Sequence, residues 1–367
     1  MDFMKFIHIA DVHLGVQPDK GKPWSEQRAR EITETFDKLL SITEEKQADL
    51  LLIAGDLFHA PPAALELAEL DDKLSKLTRT KTVIIAGNHD YMGKGSAYAT
   101  YRFQSDTVCF PADRLSSVYF QEMNVCVVGQ SYNRQEVFEG IYDEARPVRK
   151  DAINILLAHG GDLSHAPINR KKILDAGFDY IALGHIHKPE IIEKDKMAYA
   201  GSPEPIDHTD IGDRGYIYGE ISDAPVSGRE DFGRRSVHIF WKKINTRNYI
   251  NLALKMKPEY TNVRVVDKLA AEMERLGSRN IYRIILRGMK REQMEFDFRG
   301  LTDRFCISAI EDRTRGNIDL EAVLAENRDN LIGQFILQLK DKEDEVSRKA
   351  LEYGLAALLD SVERTES

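Results

Sequence analysis

Five short polar motifs, each closing an apolar run of strand length, constrain this chain more than any other feature. They read Asp11-Val12-His13, Gly55-Asp56-Leu57-Phe58-His59, Gly87-Asn88-His89-Asp90, Ala158-His159-Gly160 and Gly184-His185-Ile186-His187, and together they hold six of the ten histidines. A single histidine at a strand end is usually structural. Five such groups mixing imidazole, carboxylate and amide are the donor set of a two-cation hydrolytic site, which needs ions ~3.5–4 Å apart and one shared ligand. The spacing suggests a division of labour. Asp11 and His13 reach one ion, Asp56 bridges, Asn88 serves the second ion, His159 and His185 complete that sphere, and His187 returns to the first. His8, His165, His208 and His238 fall outside the pattern and read as structural.

The runs Lys5–Ala10, Leu50–Ala54, Val83–Ala86, Val125–Val128, Ile153–Ala158 and Tyr180–Leu183 are predicted strands. Ile32, Phe36, Leu39, Leu40 and Ile42 predict a helix over 25–46 opened by Ser25, with further helices over 62–77 and 170–176. This alternation predicts an α/β sandwich of two β-sheets with helices outside, and ligands are expected beyond the carboxyl ends of its strands. After about residue 222 the texture changes. The turn-rich stretch 223–231 opens a smaller α+β domain expected over 223–315, with strands Val237–Lys242, Ile250–Leu254, 281–288 and 304–310 and a helix over 263–276. The tail, 316–367, reads as two amphipathic helices, one carrying Leu320, Val323, Leu324, Leu331, Phe335 and Leu339, the other Val346, Ala350, Leu351, Leu355, Leu358 and Leu359. Their stripes serve either the tail itself or a partner helix.

Composition narrows the class. The chain is 42% hydrophobic and 30% charged, as a folded globular protein is, and no apolar run reaches a membrane span. The short apolar opening ends at Asp11, which argues against a cleaved signal peptide. Cys109, Cys126 and Cys306 lack metal-ligand spacing, so a reduced, cytoplasmic setting is expected. A net charge of −9 speaks mildly against a surface dedicated to nucleic acid. Basic residues nevertheless gather with aromatic and turn residues in two loops: Lys20, Lys22, Arg28 and Arg30 after the first motif, Lys94 and Arg102 after the third. These are the expected DNA contacts.

Over residues 4–210 the motif order resembles the calcineurin-like metallophosphoesterases, and within them the SbcD-type DNA double-strand-break repair exonuclease subunits. Asp11-Val12-His13-Leu14-Gly15, the histidine three residues after Asp56, and Ala200-Gly201-Ser202-Pro203-Glu204 carry the narrower likeness. The resemblance implies a sandwich with a cap domain and a helical tail. It implies two divalent cations, manganese above iron, cobalt or zinc, that activate a water against a phosphodiester. It assigns His89 to stabilising the phosphate or protonating the leaving oxygen, Asp90 to orienting that ring, and His59 to positioning the scissile phosphate or the DNA strand. An SMC-like coiled-coil ATPase docking on residues 320–360, and dimerisation through the phosphoesterase domain, are likewise implied. The competing expectations are a small-molecule or cyclic-nucleotide phosphodiesterase with the same centre, and a scaffold that keeps the fold for assembly.

Overall fold

The computed structural model describes residues 3–225, 235–291, 294–316, 320–342 and 344–366. In chain order the first half contains β1 (Met4–Ile9), α1 (Ser25–Glu45), β2 (Leu50–Ala54), α2 (Ala64–Leu74), β3 (Lys81–Ile85), α3 (Ala97–Thr100), β4 (Thr107–Cys109), β5 (Ser116–Phe120) and β6 (Val125–Gly129). There follow β7 (Ile153–His159), α4 (Arg170–Leu174), β8 (Tyr180–Gly184), β9 (Glu190–Glu193), β10 (Met197–Tyr199), β11 (Gly215–Pro225) and β12 (Arg235–Lys243). Two mixed six-stranded sheets result, ordered β12-β11-β1-β2-β3-β4 and β5-β6-β7-β8-β10-β9.

The strands read as unbroken apolar runs because both of their faces are covered. Leu50, Leu52, Val83 and Ile85 meet Val127, Ile155, Leu157 and Ala182 between the sheets. The alternate residues Leu51, Ile53 and Ile84 turn outward onto Phe36 and Leu39 of α1 and Leu67 and Leu70 of α2. On the second sheet Leu156, Ala158, Ile181 and Leu183 do the same against Ile173, Phe178 and Tyr142. Such two-sided burial holds β1, β2, β3, β7 and β8 in fixed register, so the loops at their carboxyl ends emerge from a rigid base.

The chain divides into two compact units, the first comprising residues 1–251, 276–283 and 305–309. The division expected at residue 222 therefore differs from the observed one. Residues 226–231 of the turn-rich stretch lie outside the described residues, but β11 and β12 on either side pair antiparallel, and β11 pairs with β1. Val237, Ile239 and Trp241 pack every second residue against the inter-sheet core. That period of two marks the edge of the first sheet rather than the start of a new domain.

The second unit, residues 252–275, 284–304 and 310–367, holds α5 (within Asn262–Leu276) and most of β14 (Ile281–Lys290) and β15 (Cys306–Gly316), which with β13 (Tyr249–Met256) make a three-stranded sheet. It also holds α6 (Arg299–Thr302) and three closing helices, α7 (Leu320–Glu326), α8 (Leu331–Leu339) and α9 (Glu345–Glu366), where two were expected. The extra break is capped: the Asn330 side chain accepts from the backbone of Ile332 (2.9 Å) and Gly333 (3.3 Å). Ile332, Ile336, Leu351 and Leu355 bury one another, so much of the apolar stripe is satisfied within the tail. Leu331, Leu337 and Val346 stay exposed.

Candidate metal centre

The five motifs converge at the carboxyl ends of β1, β2, β3, β7 and β8. Asp11, His13, Asp56 and His185 all adopt left-handed backbone (φ 54°, 54°, 50° and 99°). Such conformations are costly for non-glycine residues and persist where the surroundings impose them. Here the loops impose them on one another, since Asp11 N donates to Gly55 O (3.1 Å) and His13 N to Asp56 O (3.0 Å). Gly87 has no room for a side chain: a Cβ there would strike Asp56 Oδ1 and come within 2.6 Å of His159 Nε2.

Three histidines have their outer nitrogens committed. His159 Nδ1 lies 2.8 Å from Ala54 O, His187 Nδ1 3.1 Å from Asp210 Oδ2, and His185 Nε2 2.8 Å from Asp162 Oδ2. Carbonyl and carboxylate oxygens only accept, so these nitrogens carry the protons and the opposite ones point lone pairs inward. His187 Nε2 meets His13 Nε2 at 3.0 Å. His159 Nε2 and His185 Nδ1 meet Asn88 Oδ1 at 2.9 and 3.0 Å. Each inward contact sets two acceptors face to face unless a proton or a cation lies between them. That donor set fits divalent cations.

The donors form two neighbouring groups. Asp11, His13 and His187 offer atoms within 4.8 Å of one another, and so do Asp11, Asp56 and His159. Asp56 Oδ2 lies 3.9 Å from His13 Nε2 in one group and 3.4 Å from His159 Nε2 in the other, where a shared carboxylate belongs. Asp11 touches both groups as well, and accepts from the His185 amide at 3.0 and 3.1 Å.

Electrostatics follow from burying these groups together. Burial pushes the Asp11 carboxyl up to about 6. Burial pushes Asp56 the same way, but the surrounding histidines, His159 foremost, override it and hold Asp56 far below the usual carboxylate range. Burial also opposes charge on His159 and His187. Asp56 and Asp11 nonetheless lift His159 to about 9, and Asp210 with the same carboxylates lifts His187 to about 8. Burial and neighbouring positive charge drive His13 well down, and His185 to about 4. Near neutral pH without cations, protons fill the His187–His13 and His159–Asn88 gaps, while His185 stays neutral.

The remaining expected site residues divide. His59 and His89 stack at 5.0 Å beside His13, both partly exposed, and His89 Nδ1 lies 3.2 Å from the His59 carbonyl. Asp90 does not orient the His89 ring. Its Oδ1 accepts from Gly87 N (2.6 Å) and its Oδ2 from Leu57 N (2.9 Å) and Phe58 N (3.2 Å), so it ties the second and third loops together. Burial and the nearby Asp56 raise its carboxyl to about 7. Arg28 is not available to DNA. It is fully buried, with Nη2 2.9 Å from Glu204 Oε2 and Nη1 paired with Glu31. Lys20, Lys22, Arg30, Lys94 and Arg102 are exposed. The outer carboxylates Asp162 and Asp210 were not expected, although Asp162 stands only three residues after His159.

The model of the calcineurin-like phosphoesterase family matches residues 4–189. The chain belongs to that family. It is accordingly a metallophosphoesterase, an enzyme of phosphoester hydrolysis that uses divalent metal ions. This phosphoesterase is also 29% identical over 237 residues to the DNA double-strand break repair protein Mre11 of Methanopyrus kandleri, an alignment covering 57% of this chain and 51% of the relative. The chain thus spans about half the length of the curated relative it matches. Among the described residues of the phosphoesterase, no helix is long and apolar enough to cross a membrane.

Proposed function

We propose that this phosphoesterase is a nuclease that hydrolyses phosphodiester bonds at DNA ends in repair. The observation that carries the reading is the pair of donor groups that have Asp11 in common and Asp56 Oδ2 within 4 Å of a histidine of each, in a chain similar to a double-strand break repair protein. Two divalent cations, manganese by family resemblance, would supply Lewis-acid activation of water and neutralise phosphate charge there. Asp11, His13 and His187 would hold one, Asn88, His159 and His185 the other, and Asp56 would serve both. His89 would be the general acid: with Nδ1 held 3.2 Å from the His59 carbonyl, Nε2 is left to hand a proton to the departing oxygen. His59 braces that ring and lines the path of the strand. Asp90 keeps the loops of Asp56 and Asn88 at fixed separation.

Lys20, Lys22, Arg30, Lys94 and Arg102 are proposed phosphate contacts, and the second unit a capping domain that adds to DNA binding. The exposed Leu331, Leu337 and Val346 support docking of an SMC-like coiled-coil ATPase on the closing helices. Dimerisation through the first unit and a cytoplasmic location complete the reading; the three cysteines, all free, suit a reducing compartment. The test is release of nucleotides from linear duplex DNA in Mn²⁺, compared with hydrolysis of bis-p-nitrophenyl phosphate. Turnover of both supports the nuclease. Turnover of the small ester alone moves the assignment to a small-molecule or cyclic-nucleotide phosphodiesterase.

A further inference from the structure

The loop after β7 carries a carboxylate outside the five motifs. Asp162 Oδ1 accepts from the backbone N–H groups of Ser164 (2.8 Å) and His165 (2.9 Å), so the loop's own turn fixes the side chain. Its Oδ2 lies 2.8 Å from His185 Nε2. The proton of that contact belongs to Nε2, and the lone pair is left on Nδ1, 3.0 Å from Asn88 Oδ1. His187 is built the same way on the other side of the centre, with Nδ1 against Asp210 and Nε2 toward His13.

The two supports differ in their surroundings. The Asp210 side chain is 7% exposed and also takes the Ile206 amide (2.9 Å) and Arg214 Nη2 (3.2 Å). The Asp162 side chain is 47% exposed, and its Oδ2 is shared with His165 Nδ1 at 2.9 Å. Water competes for the exposed carboxylate and His165 competes for the same oxygen, so it restrains its histidine less firmly.

We infer that Asp162 is a positioning residue that holds His185 in the Nε2–H tautomer with Nδ1 toward the second cation, and that this half-exposed support makes the second cation the more weakly held of the two. The inference rests on the two-cation reading above. Outer partners of ligating histidines commonly govern affinity by about 10–100-fold.

The experiment uses the full chain, stripped with chelator and titrated with Mn²⁺ by calorimetry, alongside Asp162→Ala, Asp162→Asn and His165→Ala. The asparagine variant keeps an oxygen for the loop turn and guards against collapse of the loop. Wild type should bind in two resolved steps. Asp162→Ala and Asp162→Asn should weaken the weaker step about tenfold or more and leave the tighter one in place, while His165→Ala, which removes the competitor for Oδ2, should leave the tighter step in place and should not weaken the weaker one. In metal-free protein labelled with ¹⁵N-histidine, long-range ¹⁵N–¹H spectra should show His185 as the Nε2–H tautomer in wild type and a mixture in both Asp162 variants. A weaker step and a tautomer unchanged in both variants would overturn the inference, as would a shift in the tighter step. Two indistinguishable steps in wild type would overturn the ranking. Loss of a cation in His165→Ala would make Asp162, His165 and His185 a cation site in their own right, and the positioning role would fall. A wild-type chain that binds no Mn²⁺ would sink the two-cation reading instead, while the tautomer, read without metal, still judges Asp162.

Discussion

Two clusters of buried ionisable side chains lie in the first unit, and they are built on opposite plans. In one, Arg28 pairs with Glu31 and Glu204, Arg247 pairs with Glu31, and Glu204 also accepts from Thr35 Oγ1 (2.9 Å) and Thr246 N (2.6 Å). Every carboxylate there faces a guanidinium. In the other, the inward atoms of His13, His159, His185, His187, Asn88, Asp11 and Asp56 meet acceptor to acceptor. The first cluster is closed and cements α1 to the segment after β10. The second has a deficit of positive charge at its centre, which is what a cation site requires. Burial of charge is therefore not the mark of a site; the unmatched acceptor is.

The strongest attack on this contrast removes the carboxylate between the two donor groups. Asp56→Asn should lower phosphodiester hydrolysis by well over 100-fold, beyond what outer partners cost, and reduce bound metal measured by elemental analysis. Full turnover with unchanged metal content would end the assignment of Asp56 as the shared ligand. Next in size, His89→Gln should keep the metal and lose turnover by about 100-fold or more, the range of a general acid. Loss of metal in that variant would make His89 a ligand.

The closed cluster should respond in stability instead. Arg28→Met strands Glu204 without its guanidinium and leaves Glu31 with Arg247 alone, and breaking such a buried pair costs about 3–5 kcal/mol. Urea unfolding at fixed pH measures this, and the fraction that remains folded should hydrolyse substrate as wild type does. A stability change below about 1 kcal/mol, with weakened DNA binding, would return Arg28 to the interface.

How much of this is legible without coordinates follows the range of the interactions. The strands, the sandwich and the donor motifs are legible because each is local: apolar runs buried on both faces, and polar residues at their ends. Arg28 reads as a loop cation because Gly21, Pro23 and Trp24 precede it, although it stands four residues before Ile32 and seven before Thr35, on the buried face of α1. Helical spacing is the signal that places it correctly. Asp210 and Asp162 meet their histidines 23 residues away, through space, and the only local mark on either is that Asp162 stands three residues after His159. Asp90 has a plausible role beside His89, but the backbone amides of Leu57 and Phe58 that claim it come from another loop. The strand β12 reads as part of the second domain because charged, turn-forming residues precede it, while its alternation of Val237, Ile239 and Trp241 points to a sheet edge.

Proton occupancy in the open cluster gives a smaller, graded effect. With His187 lifted to about 8 and His159 to about 9, both rings hold protons at pH 7 that a cation must displace. Mn²⁺ affinity should therefore rise as pH increases through 8 and then 9, by up to about tenfold per unit for each proton, and level off above. Calorimetry in buffers of different ionisation enthalpy measures the release directly. Affinity independent of pH from 6.5 to 9 would mean that the inward nitrogens are already bare.

The smallest effect separates the surface cations from both clusters. Lys20 and Lys22 are exposed, and Lys22 Nζ sits 5.9 Å over the Trp24 ring, so their charge can meet phosphate without any buried partner being stranded. Lys20→Glu with Lys22→Glu should leave folding stability and hydrolysis of the small ester unchanged and weaken duplex binding severalfold at moderate salt. The slope of log affinity against log salt should fall by about 0.9 for each phosphate that is no longer neutralised. An unchanged slope would remove this loop from the interface, and the search for DNA-binding residues would pass to Lys94 and Arg102. Together with Arg28→Met, the double variant distinguishes two cationic roles within the nine residues from Lys20 to Arg28: one guanidinium spent inside the fold, two ammonium groups left for a ligand.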